Sequence, residues 1–277
     1  MERKHKLMVV MNYLSSMKPL QSLFFCIKQK LFVVVFFLSI HSFAQQTFVA
    51  TQKTFTRVDA AFKQKEDSLK KQFAKAKLNY PPQQMYLRSF KYDSELEVWI
   101  KENNKDSFSL FKTYKICALS GSLGPKRIEG DYQVPEGFYS INQFNPKSIY
   151  HLSLGINYPN TSDAILSDSV RPGGDIFIHG NCVTTGCIPI KDQYIEELYV
   201  LATQCINAGQ DFIPIHIFPI RFNNVKSFRY LAQQSKDNVA YQKFALNMQE
   251  AFDYFNQHKK IPTVAVADNG DYVIFKN

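Results

Sequence analysis

The stretch Asp175–Ile190, DIFIHGNCVTTGCIPI, is the part of the chain from which the fold class and the chemistry both follow. Its first half contains an apolar run, Ile176–Ile178, which is typical of a buried strand. The run ends at His179, and seven residues separate His179 from Cys187. Because another apolar run begins directly after Cys187, the pattern predicts two strands joined by a tight loop that carries a histidine and a cysteine.

This pairing of residue types is typical of thiol catalysis. A nucleophilic cysteine needs a nearby base, since a free thiol titrates near ~8.5 and only the thiolate attacks. Histidine is the usual base, and a loop flanked by Gly180 and Gly186 could fold His179 back onto the sulfur of Cys187. The backbone amides of Gly186 and Cys187 could then hold an oxyanion. We therefore predict Cys187 as the nucleophile and His179 as the proton acceptor and donor.

The same residues resemble the catalytic motif of the L,D-transpeptidase (YkuD-like) family, and within it the YafK-like members with a short spacer. The motif is His179-Gly180, the spacer, and then Thr184-Thr185-Gly186-Cys187. The resemblance covers about residues 84–222. It includes three further phrases, which are SGSLGPK at 120–126, GDYQVPEGFY at 130–139 and YHLSLGINYPN at 150–160.

The resemblance implies acyl transfer through a cysteine thioester, without a cofactor. The implied substrate is a peptidoglycan stem peptide, cut after its third residue, a diamino acid. An amine from a second stem or from a wall-attached protein would accept the acyl group, or water would, in which case the enzyme is an amidase or peptidase. Thr184 matches the family's Ser/Thr and could order the loop or orient His179. The carbonyl of Gly180 could orient the other imidazole nitrogen.

The expected substrate-binding residues lie in the flanking phrases and loops. His151, Lys126 and Arg171 could meet the substrate, since Lys and Arg pair with carboxylates. The chain departs from the family at Pro189, where many members carry a basic or amide residue. Arg221 or Lys126 could supply the missing positive charge.

Four alternatives remain open at this point. Cys187 could be an inert core residue, since free cysteines are among the most buried residue types. His179, Cys182 and Cys187 could be soft ligands of a zinc ion. A Cys182–Cys187 disulfide could inactivate the thiol and act as a redox switch. The chain could also be a non-catalytic wall-binding module that keeps the scaffold.

The first 44 residues have the features of a signal peptide. Lysines precede the ten-residue apolar segment Leu31–Ile40, and small residues follow at Ser42 and Ala44, where a signal peptidase reads them. The apolar segment is too short to span a bilayer comfortably. We therefore predict export to the periplasm or cell envelope, with no stable membrane span after processing.

Removal of this leader changes the charge of the chain. The whole sequence has 33 Lys and Arg, 24 Asp and Glu, and a net charge of +9. The leader holds six of the basic residues and one of the acidic ones, which leaves 27 against 23 and a net charge of +4. A nucleic-acid partner therefore loses most of its support. Four of the five cysteines lie after residue 44, an even number that invites disulfides in an oxidising compartment.

The remaining pattern predicts an α+β fold. Periodic apolar residues predict helices over 54–78, over 192–208 with Asp192 as N-cap, and over 225–258 with a break near 235–238. Alternating segments between 85 and 154 predict strands, as does Phe212–Phe218, where Pro214 suggests an edge or a bulge. Residues 263–266 and 272–275 predict a hairpin.

The predicted organisation therefore has four parts. They are a signal peptide (1–44), an N-terminal helical segment (45–83), a β-rich L,D-transpeptidase-like catalytic domain (84–222) and a C-terminal helical and hairpin extension (223–277).

Overall fold

The structure, a computed structural model, describes residues 46–276. The predicted signal peptide lies outside the described residues. The described helices are α1 (Phe48–Gln52), α2 (Thr56–Lys75), α3 (Thr161–Leu166), α4 (Asp192–Asn207), α5 (Val225–Ser235) and α6 (Val239–His258). None of the helices in this part of the chain is long and apolar enough to cross a membrane.

Eight of the ten described strands form one mixed sheet, in the order β3-β2-β1-β8-β4-β5-β6-β7. The strands are β1 (Gln84–Phe90), β2 (Glu95–Lys101), β3 (Ser109–Lys115), β4 (Gly137–Asn145), β5 (Ser153–Ile156), β6 (Phe177–His179), β7 (Ile188–Pro189) and β8 (Ile213–Phe218). A bridge between Ile116 and Ile190, the residues that follow β3 and β7, joins the two edges of the sheet. The sheet is therefore curled, and the α+β prediction is confirmed.

Helices cover the sheet on both sides because their apolar faces need a partner. Helices α2 and α4 share a buried core with the sheet, to which Phe62, Phe73 and Leu198 contribute. Helix α6 packs on other strand residues through Phe252, whose ring lies 5.6 Å from that of Phe218. The strands β9 (Thr263–Val266) and β10 (Tyr272–Phe275) form the predicted hairpin.

Two local predictions are wrong. Strand β8 is neither an edge strand nor bulged at Pro214, since it pairs with both β1 and β4. The proline is tolerated because the β1 pairing begins only at Ile215. The N-cap of α4 is Lys191, not Asp192, whose carboxylate instead accepts a hydrogen bond from the Asn181 amide at 2.7 Å.

A buried ion pair ties the long loop between β3 and β4 to the C-terminal helices. Glu136, which is fully buried, pairs with Lys91 at 3.0 Å and accepts hydrogen bonds from the Gly124 amide and from the Tyr241 hydroxyl. Lys91 also donates to the carbonyls of Gly124 and Val134. A buried charge is stable only when it is paired and hydrogen-bonded in this way. The shape of the loop therefore depends on a helix of the C-terminal segment.

Candidate active site

Two adjacent parallel strands bring the histidine and the cysteine to the same edge of the sheet, since His179 ends β6 and Cys187 directly precedes β7. In the pairing of β6 with β7, Ile178 lies opposite Ile188 and His179 lies opposite Pro189. Cys187 directly precedes β7, and its thiol interacts with the backbone amide of Phe177, the first residue of β6. The strand register thus brings both side chains to the β6–β7 end of the sheet.

The imidazole of His179 is held in one tautomer. Its Nδ1 lies 2.5 Å from the carbonyl oxygen of Gly180. A carbonyl only accepts hydrogen bonds, so Nδ1 carries the proton and Nε2 carries the free lone pair. Burial lowers the pKa of His179 below its usual 6.5, against a smaller raising effect of the Gly180 carbonyl. Nε2 is therefore an unprotonated base at neutral pH.

The turn after β6 needs glycine at position 180. A Cβ placed on Gly180 would lie 2.5 Å from Oδ1 of Asp192 and 2.9 Å from the carbonyl oxygen of Tyr150. The same Asp192 oxygen accepts the Asn181 amide, and the Tyr150 ring lies 4.6 Å from the His179 ring. Asp192 thus holds the turn after the histidine, and the Tyr150 ring packs against the His179 ring. Sequence reasoning missed both roles, although Tyr150 begins one of the matching phrases.

The thiol of Cys187 is half-buried and is not bonded to the imidazole. Among the described residues, its Sγ donates a hydrogen bond to the Asp175 carbonyl oxygen at 3.5 Å. Burial raises the pKa of Cys187, an effect that the Phe177 amide and the Lys126 charge partly offset. At neutral pH the resting site therefore holds a neutral Cys187 thiol and a neutral His179 imidazole. Contacts of this kind are often longer in a free enzyme than with substrate bound.

Thr184 organises the loop that carries the thiol. Its hydroxyl accepts a hydrogen bond from the Gly186 amide at 3.1 Å and donates to the Cys187 carbonyl at 2.8 Å. It has no contact of this kind with His179. The expectation that the Gly186 amide holds an oxyanion is therefore revised, because that N–H is already bonded to Thr184.

Gly186 instead allows another segment to approach the thiol. Its φ is +139°, and a Cβ there would lie 3.1 Å from the carbonyl oxygen of Gln133. Gln133 belongs to the loop between β3 and β4, which the hydrogen bonds and the ion pair of the buried Glu136 stabilise. The residue before the thiol is thus in direct contact with the loop between β3 and β4.

The predicted substrate-binding residues have different surroundings. Lys126 is buried, with Nζ bonded to Asp131 and to the Ile128 carbonyl at 2.9 Å, and its charge still acts on Cys187. The side chain of His151 is bonded to Glu196 of α4 at 2.8 Å.

The two predicted arginines differ in whether their guanidinium groups are already paired with carboxylates. Arg171 is exposed, and its guanidinium forms no ion pair within residues 46–276. Arg221 is held by Glu95 at 2.6 Å and by Glu97 at 2.8 Å. The prediction that Arg221 supplies a charge in place of the one missing at Pro189 is corrected, since both carboxylates already neutralise it.

A disulfide excludes two of the alternatives. Cys182 is bonded to Cys117, 65 residues earlier in the chain, and Cys187 is free. A Cys182–Cys187 bridge is therefore absent, and a zinc site using both sulfurs is contradicted because the Cys182 sulfur is already bonded. Nothing in the spacing of the cysteines identified Cys117 as the partner, since the pairing depends on the closure of the sheet at Ile116–Ile190.

Comparison with known proteins gives a family. Residues 93–215 match the model described as "L,D-transpeptidase catalytic domain" (YkuD). The chain is 35% identical over 194 residues to the candidate L,D-transpeptidase YafK of Escherichia coli, an alignment that covers 69% of this chain and 74% of that relative.

Solved structures give weaker similarities. The helical cell shape determining protein Pgp2 of Campylobacter jejuni matches with a TM-score of 0.40 and 19% identity, over 69% of this chain and 75% of the other. The protein Bd1075 of Bdellovibrio bacteriovorus matches with a TM-score of 0.36 and 18% identity, over 69% of this chain and 79% of the other.

Proposed function

This chain belongs to the L,D-transpeptidase catalytic-domain (YkuD) family, and we propose that it is an exported cysteine acyltransferase acting on peptidoglycan stem peptides. The family itself links the chain to peptidoglycan. The proposal of a specific chemistry is supported by the pairing of β6, which ends at His179, with β7, which directly follows Cys187, and by the fixed tautomer of the His179 imidazole.

The reaction that we propose has two halves. In the first, Nε2 of His179 takes the proton of the Cys187 thiol as the sulfur attacks the carbonyl carbon of the third stem residue. The Cys187 amide holds the developing oxyanion, in place of the Gly186 amide that Thr184 occupies. The C–N bond then breaks, the leaving amine takes the proton from His179, and a thioester remains on Cys187.

In the second half, His179 removes a proton from the acceptor as the acceptor attacks the thioester. With an amine acceptor, from another stem or from a wall-attached protein, the product is a new amide and the enzyme is a transpeptidase. With water the product is an acid and the enzyme is an amidase, which is our second candidate. In both cases the thiol is regenerated by the proton that His179 returns.

Arg171 and Lys126 are the residues that we propose for contact with substrate carboxylates. Arg171 carries a guanidinium that forms no ion pair among the described residues, on a loop whose backbone carbonyl accepts a hydrogen bond from the Glu129 amide. The Lys126 charge acts on Cys187, although Asp131 partly compensates it. His151 we now assign to positioning, since its ring is bonded to Glu196 beside the turn at Tyr150.

Export is the proposed localisation. The predicted leader supports it, and so does the Cys117–Cys182 disulfide, since such bonds persist in oxidising compartments such as the periplasm.

The test is mass spectrometry of the products formed from a defined crosslinked wall fragment. We expect new or broken amides with the full chain, none with Cys187→Ala, and about 10²- to 10⁴-fold slower product formation with His179→Ala. The variant Cys205→Ala is the matched control, because Cys205 is also free but fully buried. Full turnover by the Cys187 variant would refute the proposal, and binding without any turnover by the unmutated chain would favour a wall-binding module.

A further inference from the structure

A cavity of about 540 Å³ lies between the catalytic core and the C-terminal helices. Its walls are the loop around Ser122–Pro125, Gln133, Gln234 of α5, Asn238 at the N-cap of α6, and Phe244 of α6. Resting on the function proposed above, we propose that this cavity binds an N-acetylated amino sugar, the glycan unit to which a stem peptide is joined. It would be a subsite separate from the groove that binds the peptide.

The position of the cavity fits a ligand attached to the peptide. Gln133 lines the cavity, and its carbonyl lies against Gly186, the residue before the thiol. A stem of three residues spans at most ~10–11 Å when extended. A sugar at the far end of such a stem must therefore lie close to the thiol loop, and Gln133 joins this cavity to that loop.

The charges in the wall are already neutralised. Arg127 is paired with Asp163 at 2.9 Å, and Asp271 is paired with Lys243. An ionic ligand would compete with these pairs and would have to be desolvated without gaining a free counter-charge. The wall therefore favours a polar ligand without net charge, which is the character of an acetylated amino sugar ring.

Two amide groups are free to recognise such a ligand. No hydrogen bond holds the Gln234 side chain within the part of the chain that the structure describes. The exposed Asn238 uses its Oδ1 to accept the Tyr241 amide at 2.9 Å, and its Nδ2 has no hydrogen bond to any described residue. Side-chain amides combine donors with acceptors, and an acetamido group and ring hydroxyls present the same combination.

An aromatic ring supplies the apolar part of the site. Phe244 is half-buried, and its ring lies 5.9 Å from that of Tyr272 and 6.3 Å from that of Tyr241. Small-molecule sites combine aromatic walls with a few convergent polar groups. The C–H face of a pyranose ring can pack on Phe244 while its substituents reach Gln234 and Asn238.

The cavity is also held in shape without a ligand. Tyr241, on its helical wall, donates to the buried Glu136, which binds the Gly124 amide on the opposite wall. The two walls are thus joined through one carboxylate. An extended peptide is less well matched, because peptides pair with strand edges, and this cavity is lined by loop and helix side chains.

The test uses the full chain with Cys187→Ala, which prevents turnover. Calorimetric titration compares a free stem tetrapeptide with the same tetrapeptide joined to its disaccharide. We expect the glycan-linked form to bind about 10-fold more tightly, which corresponds to one or two net hydrogen bonds with packing. Gln234→Ala and Phe244→Leu should reduce that ratio to about 1–3. Gln233→Ala, an exposed amide of the same helix outside the cavity, should leave it unchanged.

Three other outcomes would contradict the sugar subsite or the function on which it rests. Equal binding of the two ligands would overturn the sugar subsite and leave the proposed function intact, since the peptide still binds. A preference that persists in both cavity variants would place the sugar elsewhere and would also overturn it. Failure of both ligands to bind the protein with an unmutated cavity would overturn the sugar subsite and count against the proposed function as well. Melting temperatures of the variants show that each one is folded.

Discussion

The hydroxyl oxygen of Thr184 lies 3.1 Å from the amide nitrogen of Gly186 and so fixes the backbone directly before the thiol. Thr184→Val keeps the volume and removes both hydrogen bonds, which leaves the Gly186 amide without a partner. Leaving that amide unsatisfied costs about 1–3 kcal/mol of the free energy that holds the thiol loop in place. Because the loop positions the thiol, we expect kcat/KM to fall about 10- to 100-fold. Thr184→Ser should stay within about 3-fold, since it keeps the hydroxyl. Steady-state rates decide this, and equal rates for valine and threonine would show that the loop orders itself without the hydroxyl.

Two glycines provide a matched pair for the turn at the histidine. A Cβ at Gly180 would meet Asp192 and Tyr150 at under 3.0 Å, whereas one at Gly174 would meet nothing within 4 Å. Gly180→Ala must therefore displace the backbone whose carbonyl holds Nδ1 of His179. We expect a cost of about 1–3 kcal/mol in unfolding free energy and a larger loss of kcat than of substrate binding.

Gly174→Ala is the control and should change neither quantity. Thermal unfolding together with kcat and KM for both variants makes the comparison. Equal behaviour of the two variants would mean that the close approach at Gly180 does not position the imidazole.

The pH dependence follows from the two pKa shifts. Burial lowers the pKa of His179 below 6.5, so the base is active at neutral pH and is lost only when the pH falls through that lowered value. We expect the acid limb of kcat/KM to lie on the acid side of 6.5 and to disappear in His179→Ala. Burial raises the pKa of Cys187 above 9.0, so alkylation of the free enzyme by iodoacetamide should still be accelerating at pH 9.0.

A thiolate–imidazolium pair that forms before substrate binds would behave differently. It would make Cys187 react at a constant, high rate well below pH 9.0. Such a flat alkylation profile would contradict the neutral resting pair.

The bond between Tyr241 and Glu136 tests whether the C-terminal helices support the catalytic core. Tyr241→Phe removes a buried donor from a fully buried carboxylate. The expected cost is about 1–3 kcal/mol, or a drop in Tm of roughly 2–12 °C for a protein of this size. Tyr132→Phe, at a largely exposed ring, is the control. A variant as stable as the control would show that the loop does not depend on this helix.

The sequence predicts features of this fold that are set by neighbouring residues. The hairpin at Thr263–Val266 and Tyr272–Phe275 is confirmed, because its turn residues are local. The break between α5 and α6 is confirmed for the same reason. The Asp192 prediction fails by one residue because a distant amide, that of Asn181, takes its carboxylate.

Features set by closure of the sheet are out of reach of sequence periodicity. The Cys117–Cys182 disulfide forms where the two sheet edges meet, and the Arg221 side chain is neutralised by strand β2. The domain boundaries at residues 44, 83 and 222 stay predictions. The assignments of Cys187 and His179 stay proposals, which the geometry supports.

The most direct test of the central claim is the intact mass of the enzyme after brief incubation with a defined stem tetrapeptide. The account predicts an added mass equal to the acyl fragment, located on Cys187 by peptide mapping and present in Cys205→Ala. The adduct should be absent in Cys187→Ala and slowed about 10²- to 10⁴-fold in His179→Ala. Product formation without any adduct on Cys187 would contradict this mechanism, and so would an adduct that still forms in Cys187→Ala.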